Sequence, residues 1–416
     1  MSSLRNLFPA FSHYPHLTAI IHEGETLTFA ALEALINTRC KQWYNKTFSC
    51  VAFASQSTLE CILDLLAIWQ LGGIAFPFNP RLPESFRREI LHHEKANIDI
   101  PLSRAATFLC TSGSTATPKI AVHTWENYLS SANASIKALQ LGPGDYWHLS
   151  LPLFHVSGLS IIFRCLISGA ALVLGQEPLS SVATHFSLVP THLFRILRDP
   201  HAKAFYKKAR CLLVGGAPIT TSLEVEALQA GLRLSTSWGM TETTAMATFN
   251  GRPLPHIQVS LSSENEIRVK GPSVFQGYWE NGSITHPLEA NGWFYTRDLG
   301  SFDPEGRLIW QGRKDYQFIS GGENIQPEEI EQAIGRLPGI VAAIVVPITD
   351  AEFGSRPIAF IQTLTGFFDS RAMQDALVDY LPKFKIPLQF LPLPKIDSFK
   401  FKREDLRLAA EKWLKT

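Results

Sequence analysis

Short apolar runs alternate with helically spaced apolar residues along most of the chain, and this alternation constrains the fold more than any other feature. Val51–Ala54 reads as a strand. Leu63, Leu66, Ala67 and Gln70 then fall at helical spacing between Leu59 and Leu71. Ile74–Phe78 is strand-like again, and Ala170–Leu174, Ser187–Pro190 and Cys211–Val214 repeat the pattern. Strands alternating with helices predict an α/β fold with largely parallel sheets. At 416 residues the chain suits one large domain plus a smaller one.

The C-terminal hundred residues read as that smaller unit. Pro327 opens a helix with Glu328 and Glu329 in its first turn, where acids suit the helix dipole. Ile330, Ala333, Ile334 and Leu337 follow at i, i+3, i+4 and i+7. Strand-like Val341–Val346 and Ile358–Gln362 come next, then a helix from about Ser370 to Leu381. The charged segment Gly312–Asp315 is the expected boundary, which divides the chain into residues 1–313 and a small α+β unit over 314–416.

A formal net charge of +1 gives no global field for nucleic acid or an anionic membrane. The six cysteines form no CxxC pair and read as reduced core thiols, which predicts a cytoplasmic protein. The opening MSSLRNLFPAFSHYP lacks the uninterrupted apolar stretch of a signal peptide. The most apolar long segment, Gly158–Gly175, is interrupted by Arg164 and reads as buried helix and strand rather than a membrane span. Homo-oligomer formation is left open.

Chemistry concentrates in a few strings. After the apolar run Ala106–Cys110 come Thr111, Ser112, Gly113, Ser114 and Thr115, then Ala116-Thr117-Pro118-Lys119. Hydroxyls, a glycine and one lysine after a strand make a phosphate cradle, or a plain solvated turn. The spacing is not that of a Walker loop. Ser237-Trp238-Gly239-Met240-Thr241-Glu242 places a ring for a purine, a hydroxyl for a phosphate and a carboxylate for Mg²⁺ within six positions. Gly215, Gly216 and Ala217 end a strand where a flat base could approach the backbone. Asp298 could bind a ribose diol and Arg313 the same sugar, although residues like these, taken separately, are more often surface ion-pair members.

In this order the strings resemble the superfamily of acyl-CoA synthetases, peptide-synthetase adenylation domains and luciferases. They are Thr111–Lys119, Ser237–Glu242, Tyr295–Asp298, Gly312–Glu331 and Phe399–Arg403. The resemblance runs from about Leu27 to Arg403. It implies a large N-terminal domain of mixed and parallel sheets with flanking helices and a small mobile C-terminal domain. It implies ATP and Mg²⁺, a carboxylic acid, and coenzyme A as the acyl acceptor. By position, Thr111–Lys119 resembles the loop that grips pyrophosphate, with Thr241 and Glu242 as catalytic residues and Glu242 as the metal ligand. Asp298 and Arg313 match the ribose contacts, Lys400 the catalytic lysine, and Asp315 the hinge. Two departures stand out. Ala116 replaces a usual glycine, at a strain of ~1 kcal/mol if φ is positive there. Trp238 replaces a usual tyrosine, so that a phenolic hydrogen bond is lost.

A finer resemblance rests on Ser150–Gly158, Ser187–Thr191, Ser320–Ile325 and Glu352-Phe353-Gly354. These strings are similar to the branch that ligates 2-succinylbenzoate to CoA in menaquinone biosynthesis. Such an acid needs an apolar slot plus donors for its second carboxylate. His155, Ser157, Thr191 and Arg195 are the candidates; a packed histidine and a surface-helix arginine are the plain readings of two of them. A ligase for another aryl or fatty acid, a carrier-loading adenylation domain and an inactive nucleotide-binding homologue are the alternatives. Lys400, Glu242 and Asp298 argue against the last, and the lack of a carrier segment after Arg403 against the second.

Overall fold

The structure is a computed structural model that describes residues 4–43, 50–92, 105–111, 119–175, 182–280, 282–394 and 403–413. Among these, a nine-stranded sheet, a six-stranded sheet and a four-stranded sheet build the large unit. The inner strands of the longest sheet pair in parallel: Ala171–Val173 with Tyr146–His148, then His185–Leu188, Cys211–Val214 and Leu234–Met240. In the six-stranded sheet Cys50–Ala54, Ile74–Phe78 and Ala105–Cys110 are parallel.

The expectation of largely parallel sheets holds for these inner strands and for Thr18–His22 beside Ala171–Val173, but not throughout. Ala245–Phe249 turns back on Leu234–Met240, and Ile120–Thr124 turns back on Ala105–Cys110. Short links allow only antiparallel return, because a parallel neighbour needs a long crossover. The four-stranded sheet, built from Gln258–Leu261, Glu266–Lys270, Phe294–Phe302 and Leu308–Arg313, is antiparallel throughout.

Some helices start where a side chain satisfies their free N–H groups, while Val156–Ser168, Pro190–Arg198 and Pro327–Ile334 start without a side-chain cap. The Thr58 hydroxyl accepts from the Cys61 N–H at the start of Leu59–Gln70. This helix buries Ile62, Leu63 and Leu65 through Trp69, so almost every face is covered. Thr124 and Asn127 form a reciprocal capping box at the start of Trp125–Leu139. The Gly158–Gly175 run is the helix Val156–Ser168 followed by the strand Ala171–Val173. Arg164 is buried within it, its guanidinium over the Trp147 ring. No described helix is long and apolar enough to cross a membrane.

After Arg313 a short 3₁₀ turn, Lys314–Tyr316, leads into a hairpin of Phe318–Ser320 and Glu323–Ile325. The helix Pro327–Ile334 follows, then the long hairpin Ile340–Asp350 with Gly354–Thr363. Strand Phe390–Pro392 adds in parallel. This unit has its own apolar clusters, one around Ile330, Ile334, Val345 and Leu377, another joining Val346 and Ile348 to Leu406 and Ala410. The helix expected to reach Leu381 stops at Leu377. Pro382 follows closely, and the residue before a proline avoids the helical region.

Candidate active site

Parallel strands carry their outgoing loops on one edge, where α/β sheets bind ligands. Tyr146–His148, His185–Leu188, Cys211–Val214 and Leu234–Met240 are neighbours in that order. The segments that leave them hold most of the candidates: Ser150–His155, Val189–Thr191, Gly215–Ala217 and Trp238–Glu242. The Ser150 hydroxyl donates to the Ser187 carbonyl at 3.3 Å, and the Gly215 N–H to the Leu188 carbonyl at 3.2 Å. A Cβ on Gly215 would lie 2.6 Å from Ser237 Oγ, so glycine lets these two strand ends close up.

Three candidates meet directly. Asp298 and Arg313 face each other across adjacent antiparallel strands. Arg313 Nη1 donates to Asp298 Oδ1 at 2.9 Å. Trp238 Nε1 donates to Asp298 Oδ2 at 2.8 Å. The indole therefore supplies a donor of its own where the sequence comparison with tyrosine suggested only a lost hydroxyl. Burial lifts the Asp298 carboxyl above its usual range, while Arg313 and Trp238 pull it back down. Trp310 donates to the same carboxylate as well.

A second group lies around Tyr278, which sequence reasoning missed. Its hydroxyl donates to Glu242 Oε1 at 2.7 Å, and Lys119 Nζ sits 4.7 Å from its ring centroid. Glu242 is only 7% exposed, and burial raises its carboxyl above the ordinary range against the pull of the Tyr278 bond. His123, also missed, donates from Nε2 to the Thr241 carbonyl at 2.7 Å. Asn127 on the neighbouring helix donates to the Pro272 and Val274 carbonyls, which steadies the turn before Tyr278. His123 had a readable signal, a histidine inside the apolar run Ile120–Thr124; Tyr278 had none until the sheet paired Gly277–Glu280 with that strand.

Gly239 is forced by packing. Its strand carries a bulge between Trp238 and Gly239, and a Cβ there would lie 1.7 Å from the Ala245 carbonyl oxygen. The bulge re-aims Trp238 relative to Thr241 and Glu242.

The acid-site candidates lie on or beside two helices. His155 precedes Val156–Ser168 and is exposed; Ser157 lies in the first turn and is half-buried. Thr191 and Arg195 are exposed on Pro190–Arg198, four residues apart and so on one face. Thr111 is buried, its N–H bonded to the Lys119 carbonyl at 2.8 Å. Ser112, Gly113, Ser114, Thr115, Ala116 and Lys400 lie outside the described residues.

Residues 99–279 match the family described as AMP-binding enzyme. The 2-succinylbenzoate–CoA ligase of Escherichia coli (strain K12) is 34% identical over 399 residues, covering 86% of this chain and 86% of that one. The chain belongs to this ligase family. It is thus an AMP-forming acid–thiol ligase of the α/β fold described above. A solved structure of a variant of E. coli MenE with bound OSB-AMS matches with a TM-score of 0.86 at 30% identity, covering 98% of each chain. The MenE of Bacillus subtilis in complex with ATP and magnesium ion matches with a TM-score of 0.81 at 27% identity, covering 96% of this chain and 98% of that one.

Proposed function

We propose that this ligase activates 2-succinylbenzoate with ATP and transfers the acyl group to coenzyme A, the menaquinone-pathway step. The observation that carries the reading is the family match over 86% of both chains. It is supported by the run of candidate segments after neighbouring strands, Ser150–His155, Val189–Thr191, Gly215–Ala217 and Trp238–Glu242, and by the Trp238 bond to Asp298 on another sheet.

In the first step an acid carboxylate oxygen attacks the α-phosphorus of ATP and pyrophosphate leaves. Two anions must approach, so the protein's task is to neutralise and align charge. Lys119 and the Thr111–Thr115 hydroxyls take the leaving phosphates. Asp298 accepts from the ribose diol, while Trp238 offers its indole to the base beside Gly215–Ala217. Lys400 bridges carboxylate and α-phosphate.

Glu242 and Asp298 are both buried carboxylates, but Asp298 is held by Arg313 and Trp238, and among the described residues no cluster of three or more His, Cys, Asp or Glu could hold a metal alone. That donor set fits Mg²⁺, which binds through one or two carboxylates plus substrate phosphates. When bound, Mg²⁺ supplies neutralisation of phosphate charge. Tyr278 keeps Glu242 aimed by its hydrogen bond.

In the second step the CoA thiol sulfur attacks the acyl carbonyl of the mixed anhydride. The C–S bond forms, the C–O bond to AMP breaks, and the thiol proton passes to solvent. The 314–416 unit turns about Asp315 between the steps, carrying Lys400 away and bringing Ser320–Asn324 towards the acyl group. Thr191, Arg195, His155 and Ser157 are the donors available for the ring carboxylate of the acid.

The deciding experiment compares 2-succinylbenzoate with benzoylpropionate, which lacks that carboxylate, in ATP- and CoA-dependent thioester formation. A pocket built for two carboxylates leaves its donors unpaired without the second. That costs about 1–3 kcal/mol or more for a charged group, roughly five- to 150-fold in kcat/KM. Equal turnover of the two acids would exclude the two-carboxylate pocket.

A further inference from the structure

Arg297 has no role in the reading so far, yet its backbone is in a conformation that side chains avoid. Its φ is +64°, in the left-handed region where only glycine sits freely. Something must hold an arginine there, and two sets of bonds do. Its own N–H donates to Glu266 Oε1 at 2.9 Å. Its guanidinium closes on Asp315, with Nε 2.9 Å from Oδ1 and Nη2 on the same oxygen.

Asp315 sits in the turn that joins the two units, and its partners all lie on the large one. Its second oxygen accepts from Arg313 Nη2 at 3.1 Å. Arg313 reaches on to Asp298 with its other amino group. The preceding residue of the turn is tied to the same sheet, as Lys314 Nζ donates to Glu264 at 2.6 Å and Glu266 at 3.0 Å. Arg297, Asp315, Arg313 and Asp298 thus form one continuous chain of ion pairs from the hinge turn to the ribose carboxylate. In this arrangement Gly321, Gly322, Glu323 and Asn324 are exposed to solvent.

We infer that Arg297 is a positioning residue: it latches Asp315, and so holds the 314–416 unit in the orientation that serves acyl-adenylate formation. This rests on the reading of Asp315 as the hinge. A turn about Asp315 changes its φ or ψ and swings its carboxylate, which cannot then keep both arginines on neighbouring strands. The latch must open before the thiol step. Arg313 makes the same carboxylate chain sensitive to the nucleotide at Asp298.

The test measures the two half-reactions in single turnovers and compares the ratio of thioester formation to acyl-adenylate formation. Arg297→Gly removes the ion pair and the backbone strain together, so the fold is kept. Arg297→Asn, a neutral residue that tolerates positive φ, gives a second chance at a folded protein. Each variant should raise the ratio about two- to fivefold, the range of a partly exposed ion pair. Asp315→Asn should do the same, and the double variant Arg297→Gly with Asp315→Asn no more than either single. Additive effects, or equal changes in both half-reactions, overturn the latch. Asp315→Pro, which fixes φ, separates the two ideas. If it blocks thioester formation while Arg297→Gly leaves the ratio unchanged, the hinge stands and the latch falls; if it leaves thioester formation intact, both fall.

Discussion

His123 makes the stability of the nucleotide site depend on pH. It lies in the strand Ile120–Thr124, every residue of which is buried. Its Nε2 lies 2.7 Å from the Thr241 carbonyl oxygen. A carbonyl only accepts, so the proton is on Nε2, and Nδ1 is buried with no partner. The rings of Tyr128 and Phe275 are close, with centroids at 5.5 Å and 6.4 Å. Burial pushes the imidazole pKa from 6.5 down to about 4, and the bond to Thr241 opposes this only in part. The folded pKa is therefore below the unfolded one, and the native state binds fewer protons. Its contribution to stability is complete above the unfolded pKa and is lost as pH falls towards the folded one. Between about pH 8 and about pH 5.5 the unfolded imidazole becomes roughly nine-tenths protonated while the folded one stays neutral. Linkage then gives a loss of about 1.4 kcal/mol from this residue. His123→Gln keeps an N–H donor for Thr241 and cannot titrate. Urea unfolding of both proteins at the two pH values should show a larger loss in the parent by about that amount. His185 and His256, whose pKa values are also near 4, titrate in both proteins and cancel. Equal losses in the two proteins would refute the buried neutral imidazole.

Two further substitutions probe the strand that ends at the nucleotide edge. Gly239→Ala drives a methyl group to within 1.7 Å of the Ala245 carbonyl, and backbone cannot swing away as a side chain can. Overpacking of this kind costs about 1–3 kcal/mol or more, so a marked fall in the thermal midpoint is expected and a parent-like midpoint would contradict the close approach. Trp238→Phe keeps a ring for stacking but deletes the donor to Asp298. A hydrogen bond to a charged group contributes about 1.5–3 kcal/mol, so KM for ATP should rise roughly tenfold or more while KM for the acid changes little; an unchanged KM for ATP would show that Asp298 does not depend on the indole.

Much of this protein could be read from its sequence because the chemistry is written in contiguous strings. Thr111–Lys119 gathers its groups within consecutive positions and Ser237–Glu242 at one strand end, so residue type and spacing alone point to phosphate and nucleotide. The inner parallel strands were legible for a similar reason, since apolar runs bounded by helical patterns admit few arrangements. Antiparallel returns at the sheet edges were not, because a short link leaves no periodic trace of direction.

What tertiary structure decided are the partners. Tyr278 lies 36 residues from Glu242, and His123 is 118 residues from Thr241. Nothing local to either marks the pairing, which exists only because Gly277–Glu280 and Ile120–Thr124 lie side by side. Asp298 was legible as a candidate, but not that its oxygens would be shared between Trp238 and Arg313. Arg297 left no signal in sequence at all, since a positive φ cannot be seen in a residue that ordinarily avoids it. Side-chain chemistry is a property of the residue and survives in the string. Direction, burial and partner belong to pairs of residues far apart in the chain, and only the packed fold sets them.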